Sequence, residues 1–356
     1  MTDTYIGSFR PWTPPYKTSQ SILLEQIKKS FDQLSSEEGR LFDRVVCKPN
    51  MIQERGHVTP FFASNDTQRL SQLTTSERTA LYAHNTLPWV QAQIESFVQP
   101  EEPIFHVSCT GYMAPSPTQI ALSNCGFNHN PTLNIYHMGC YAFFPAIRAA
   151  QNQLHQNIHE KKAHILHSEL CTLHFSTRKN TPEQWVVQSL FSDGCIHFEV
   201  SKERQSGRSF RIRSIKEQRV PNSENLMKWI VGEHGFQMTL DRKVPRAIES
   251  ELISFLNTLL PQDAAKSEMI FAIHPGGPSI LRSCENALQL DAHQISHSKN
   301  ILKQYGNMSS ATIPYILNSI ASDPTVHPGQ EVIAIAFGPG LTLIGAHIEL
   351  VNGEEK

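Results

Sequence analysis

A thiol, an imidazole and a carboxamide recur in this chain at the same kind of place, between a strand-like run and a helix-like run. Cys140 follows "TLNIYHMG" and precedes "YAFFPAIRAA"; His274 follows "EMIFAI" and precedes "PGGPSIL"; Asn307 lies in "YGNMSSAT" before another helical run. A helix N-terminus leaves unpaired N–H groups whose dipole favours negative charge, the setting that lowers a cysteine pKa and makes a nucleophile. Cys140 meets that condition better than the cysteines at 47, 109, 125, 171, 195 and 284. Position alone leaves each of the three open. Free cysteines are commonly buried small hydrophobes, a histidine among seventeen is ordinarily structural, and an asparagine on a loop is ordinarily a turn or cap residue.

The elements that must hold these residues alternate. "SQSILLEQIKKSFDQL" carries an apolar helical stripe with Ser19 or Ser21 as cap, and residues 73–98 predict a helix with a Thr74 to Glu77 capping box that Pro88 should kink or divide. Strands are expected in "PIFHVSCTG", "PTLNIYHMG", "AHILHSELCTLHF" and "CIHFEVSKE". Helices are expected in "YAFFPAIRAAQNQLHQNI" and in "TPEQWVVQSLFSDG", capped by Thr181 and stopped by Gly194. The second half repeats the rhythm through "SFRIRSIKEQ", "FQMTLDRKV" and "PRAIESELISFLNTLL" to two closing strands around Gly338, Pro339 and Gly340. Two α/β halves follow, residues 1–203 and 204–356, with the seam in the polar stretch "SKERQSGR".

Composition limits the partners. With 31 basic and 33 acidic residues in 356 and no run of like charges, nothing asks for nucleic acid, so any cationic site is local. The uncharged stretch that could be mistaken for a membrane span, residues 109–142, is broken by Pro115, Pro117 and Pro131 and predicts no such span. The N-terminus lacks a basic region followed by an apolar run, so a cytoplasmic location is expected. Seven cysteines without a C-x-x-C pair form neither a disulfide framework nor a zinc site, and no metal is expected.

The phrases "CTGYMAPSPTQ", "MGCYAFFPAIRAA", "SELCTLHF", "LFSDG", "IHPGGPSIL", "YGNMSSAT" and "FGPGL" stand in the order found in the type III polyketide synthases, the chalcone synthase family of the thiolase superfamily, and resemble its bacterial branch. The resemblance runs from about Tyr5 to Leu350. It implies an α/β fold of five layers, αβαβα, built from two similar halves, and a homodimer. It implies Cys140, His274 and Asn307 as catalytic residues. Cys140 would carry the acyl group, His274 would pair with it as imidazolium and later donate N–H to an oxyanion, and Asn307 would help stabilise the malonyl-CoA enolate as carbon dioxide leaves.

The same resemblance implies coenzyme A thioesters as substrates, with no permanently bound cofactor, and a starter arriving on coenzyme A or on an acyl-carrier protein. "FDRVVCKPNMIQER" resembles the family's coenzyme A segment, placing Arg44 and Lys48 on its basic positions, with Arg55 and Arg242 as further candidates. Pocket positions fall on Thr110, Cys171, Cys195, Met238, which replaces a large gatekeeper Phe, and Gly338, Pro339 and Gly340 of the cavity floor. Met113 or Ala114 would reach across the dimer. Decarboxylative condensation, repeated and closed by cyclisation, is the implied activity. A single-condensation 3-oxoacyl synthase is the near alternative; a cysteine hydrolase of papain-like Cys, His, Asn order and a non-catalytic acyl-binding scaffold are the other classes.

Overall fold

Along the strand Glu331–Gly338 the apolar side chains divide by parity: Val332, Ala334 and Ala336 face one core, Ile333, Ile335 and Phe337 another. A strand buried on both faces needs helices on both sides, and this requirement organises the molecule. The computed structural model describes residues 3–31, 34–46, 51–62 and 67–353.

The strands are β1 (Tyr5–Pro11), β2 (Tyr16–Ser19), β3 (Glu54–His57), β4 (Ile104–Ser108), β5 (Thr132–Tyr136), β6 (Lys162–Leu170) and β7 (Asp193–Ser201), then β8 (Ser209–Arg219), β9 (Met227–Gly232), β10 (Gly235–Leu240), β11 (Ile270–Ile273), β12 (Glu331–Gly338) and β13 (Thr342–Val351). The helices are α1 (Gln20–Ser30), α2 (Ser36–Val46), α3 (Thr67–Gln72), α4 (Thr75–Phe97), α5 (Pro117–Asn124) and α6 (Phe143–Gln156), then α7 (Pro182–Leu190), α8 (Val244–Leu259), α9 (Pro278–Leu288), α10 (Ser296–Tyr305) and α11 (Thr312–Ser322).

Nine strands join in the order β11-β12-β13-β8-β1-β7-β6-β4-β5. The two halves of this sheet are joined where β1 pairs β8 through Tyr5↔Arg211 and Ile6↔Phe210, with Ile212 N–H also donating to Thr4 O at 2.9 Å. Between them lie α6 and α11, whose buried Phe143, Phe144, Ile147, Ile313, Ile316 and Leu317 share one core with strands of both halves. A helix apolar on every side belongs in such a middle layer. On the outside, α4 and α5 cover β4 and β6 through Val90, Ile94, Leu122, Leu166 and Leu170, while α8 and α9 cover the other half through Leu252, Phe255 and Leu281. The layers are therefore α, β, α, β, α.

Several sequence expectations change in detail. The Thr74 to Glu77 capping box forms, but Pro88 lies inside an undivided α4. Residues 171–174 leave the strand as a 3-10 turn. Thr181 caps α7, accepting from Gln184 N–H, yet that helix ends at Leu190 and Gly194 belongs to β7, where a Cβ would overlap Met308. The stretch 201–208 connects β7 to β8 and is tied down, with Gln205 Nε2 donating to Glu199 O and Ser201 Oγ.

Candidate active site

Beyond β5 the chain reverses at His137 (φ 61) and Gly139 (φ 80) before Cys140 heads the turn into α6. Glycine suits position 139 because its backbone is left-handed and a Cβ there would overlap Pro339 Cδ. Cys109 braces the same residue: Gly139 N–H donates to Cys109 Sγ at 3.0 Å, and that thiol donates to Gly139 O at 3.4 Å. Cys109 is thus committed to the turn, while the Cys140 thiol has Ser309 Oγ, 3.8 Å away, as its side-chain partner among the described residues.

His274 lies one residue past β11 and is held by its backbone, N–H donating to Ile335 O at 2.8 Å and carbonyl accepting from Gly276 N–H at 3.0 Å. The residue is 1% exposed, and both ring nitrogens lack a hydrogen-bond partner among the described residues. Buried polar atoms are ordinarily satisfied, so this imidazole is poised for a ligand. Asn307 is fixed against the end of α7, its N–H donating to Leu190 O and its carbonyl accepting from Ser192 N–H, both at 2.9 Å. Asn307 Oδ1 accepts from Ser309 N–H at 2.9 Å, and Nδ2 makes a long bond of 3.4 Å to Gly276 O. That leaves the second amide N–H for a ligand.

Cys140, His274 and Asn307 line one cavity, whose rim carries Arg242, Lys243 and Arg282. Cys140 also lines a second cavity, with Thr110, Cys171, Trp229, Phe236 and Pro339. Cys140, Phe191 and Met238 belong to both and form the neck between them. His174 stiffens the second cavity's wall, stacked on Phe236 with centroids 4.2 Å apart. Its Nε2–H donates to Thr110 O at 2.5 Å and its Nδ1 accepts from Phe236 N–H at 2.9 Å.

Burial works against the expected pairing of a thiolate with imidazolium. Burial pushes the Cys140 thiol up to about 12, the Ser309 hydroxyl only partly opposing it. Burial likewise pushes His274 down to about 3. The helix dipole does not reverse this, because Cys140 precedes Ala142, the N-cap of α6, and sits within the turn rather than at the helix end. Burial thus favours the neutral thiol and the neutral imidazole in the free protein. Nearby Glu169, wholly buried, accepts from Cys109 N–H (3.0 Å), Thr110 Oγ (3.1 Å) and Ser310 Oγ, and burial lifts it to about 7.

The remaining sequence candidates divide. Arg242 lies at the rim; Arg44 is exposed on the last turn of α2 beside Val45 and Val46, which line the same cavity; Lys48 lies outside the described residues. Arg55 is corrected. It is buried, donating to Gln20 Oε1 and to the carbonyls of Gln188 and Phe191, so its guanidinium braces the Asn307 region and is not available to a phosphate. Thr110, Cys171, Met238 and Pro339 line the cavities. Gly338 and Gly340 flank Pro339 without lining them, and a Cβ at Gly338 would overlap the Tyr141 ring. Cys195 is also corrected. Strand parity turns it to the outer core with Leu166 and Leu170. Met113 is half-buried and lines neither cavity.

Sequence reasoning missed Lys243, Arg282, Ser309, Glu169, Trp229 and Phe236. The adjacency of Lys243 to Arg242 was the one signal available for the rim. It also expected no metal-ligating cluster, whereas His164, His197 and Glu199 bring ligand atoms within 4.8 Å of one another. That group lies in an ion-pair network, with Arg10 on Glu199 at 2.8 Å and Lys162 at 3.8 Å, so two cations already balance the Glu199 carboxylate.

Fold and site together define a five-layered α/β chain with a cysteine, a histidine and an asparagine at one cavity. Residues 211–352 match the family of chalcone and stilbene synthases, C-terminal domain. The chain is 30% identical over 243 residues to the 1,3,6,8-tetrahydroxynaphthalene synthase of Streptomyces coelicolor, covering 67% of this chain and 64% of that protein. It is 29% identical over 222 residues to type III polyketide synthase A of Arabidopsis thaliana, covering 59% and 56%. The aligned parts span less than two thirds of both relatives. The C-terminal type III polyketide synthase domain of Steely1, a type I/III hybrid from Dictyostelium, superposes with a TM-score of 0.88 at 23% identity over 98% of this chain and 99% of that one. The chain is similar to type III polyketide synthases over these stretches and shares the fold of the Steely1 domain. Among the described residues no helix is long and apolar enough to cross a membrane.

Proposed function

We propose that the chain condenses a Cys140-bound acyl starter with malonyl-CoA by decarboxylative Claisen chemistry, repeats the extension, and releases a cyclised product. The observation that carries this reading is the buried His274 ring with both nitrogens unpartnered on the cavity shared with Cys140 and Asn307. A neutral imidazole has one nitrogen to accept a proton and one N–H to donate.

In loading, Cys140 Sγ attacks the starter's thioester carbonyl while its proton passes to His274. The carbon–sulfur bond to coenzyme A breaks, and the departing thiolate takes that proton, restoring the neutral ring. In extension, N–H groups of His274 and Asn307 bind the malonyl thioester oxygen. The bond to the carboxylate breaks, carbon dioxide leaves, and its electron pair remains in the enolate held by those donors. The enolate carbon attacks the Cys140 thioester, forming the carbon–carbon bond and expelling the Cys140 thiolate. Arg242, Lys243 and Arg282 at the rim suit the phosphates of coenzyme A. The division at residues 203 and 204, a homodimer, a cytoplasmic setting and an alternative carrier-protein donor belong to the same proposal.

Incubation with labelled malonyl-CoA and a panel of acyl-CoA starters, with product mass analysis, tests it. Cyclised products containing several malonyl-derived units are expected. Products stopping at one extension would favour the 3-oxoacyl synthase alternative, and absence of labelled carbon dioxide with every starter would overturn decarboxylative condensation altogether.

A further inference from the structure

Helix α7 separates two openings. Its residues Pro182, Glu183, Val186 and Ser189 line the cavity that holds His274 and Asn307, whereas Gln184, Val187 and Gln188 line the second cavity behind Cys140. These sets follow the helical spacing of three and four, so they occupy different faces of one helix. The second cavity runs from the Cys140 neck past Trp229 and Phe236 and ends among Ser176, Arg178 and Lys179. Arg178 and Lys179 are exposed, so the cavity reaches the surface there.

The coenzyme A arm and the acyl tail therefore have separate routes. The thioester must lie beside His274 and Asn307, which assigns the nucleotide to their side of α7. A chain attached to Cys140 then extends through the neck into the other cavity. The chemistry of that cavity's end is specific: its lining includes two cations and no aspartate or glutamate. Arg178 is held at the rim by Nε donating to Ser71 O at 3.4 Å and Nη2 donating to His234 Nδ1 at 3.2 Å, with Nη1 left over among the described residues. Apolar walls with a few fixed polar groups at one end select a ligand apolar along its length and polar at its tip.

We infer that the acyl starter is a chain bearing a terminal carboxylate, threaded from Cys140 through the second cavity so that its far end meets Arg178 and Lys179. This rests on the condensing reading of Cys140 and deepens it by naming the class of starter.

The test pairs ω-carboxyacyl-CoA thioesters with uncharged acyl-CoA thioesters of equal length, across graded lengths, and reads the ratio of kcat/KM within each pair. The wild-type protein should favour the carboxylate once the chain is long enough to reach the rim. Reversing both charges, Arg178→Glu with Lys179→Glu, should lower that ratio by about tenfold, since exposed ion pairs are individually weak. The same variant should come to favour ω-ammonium acyl chains, and added salt should weaken both preferences. Lys179→Glu alone, at an exposed residue, should show the same direction at smaller size. Equal ratios for all tails in the wild-type and reversed proteins would overturn the inference. Failure of every thioester to acylate Cys140 would instead overturn the condensing reading on which it rests.

Discussion

At Cys140 burial and chemistry pull in opposite directions. Burial pushes the thiol up to about 12 and the His274 imidazole on the same cavity down to about 3, which favours the neutral forms of both, and deprotonation would then be coupled to attack. Iodoacetamide should accordingly modify Cys140 of the free enzyme at a rate that climbs above pH 8. A plateau already reached at pH 6 would restore the thiolate–imidazolium pair. Asn307 serves the enolate more than the thiol, so Asn307→Ala should slow malonyl-CoA decarboxylation about a hundredfold while acylation of Cys140 falls far less; equal losses in the two steps would contradict that division. Glu169 offers a stability test. Its folded pKa of about 7 exceeds the usual 4.5, so the stabilisation of its neutral form is complete below the lower value and is lost as pH rises through the upper one. Relative to the wild-type protein, Glu169→Gln should gain on the order of 2 kcal/mol in denaturant unfolding between pH 4.5 and pH 8. Asp193, also pushed up by burial, is common to both proteins and cancels in the difference.

At the scale of elements, the site is made by turns that touch across the two halves. Gly139 before α6 and Pro339 after β12 are in contact range, and no side chain fits between them. Gly139→Ala combines a left-handed backbone with that overlap and should cost about 2 kcal/mol or more, moving Cys140 with it. Thermal unfolding and acylation rate should both fall; an unchanged melting temperature would show that the two turns are not pressed together. These turns were legible because the sequence marks them with Gly and Pro between apolar runs. What sequence could not supply was side-chain direction. Cys171 and Cys195 look equivalent along the chain, yet the 3-10 turn presents one to the cavity and strand parity sends the other into the outer core. Likewise Arg55 reads as a free cation beside basic neighbours until its three oxygen acceptors are seen.

At the scale of the whole molecule, β1 joins the halves, and it was not read as a strand because seven residues with a glycine and a proline give little periodicity. The alternation of strands and helices carried the layer architecture, whereas the joint depends on pairing between residues about two hundred positions apart. Ile6 is fully buried there, in the core shared by both half-sheets. Ile6→Ala should destabilise the protein by about 2 to 5 kcal/mol, and calorimetry should still record one transition, since the central helices belong to both halves. Two separated transitions would mean that the halves melt independently. Brief exposure of the intact protein to an acyl-CoA, followed by peptide mass spectrometry, tests the nucleophile most directly. The acyl group should be found on Cys140 and be lost from the spectrum in Cys140→Ala, whereas its appearance on Cys109, Cys171 or Cys195 in the folded wild-type protein would contradict the assignment.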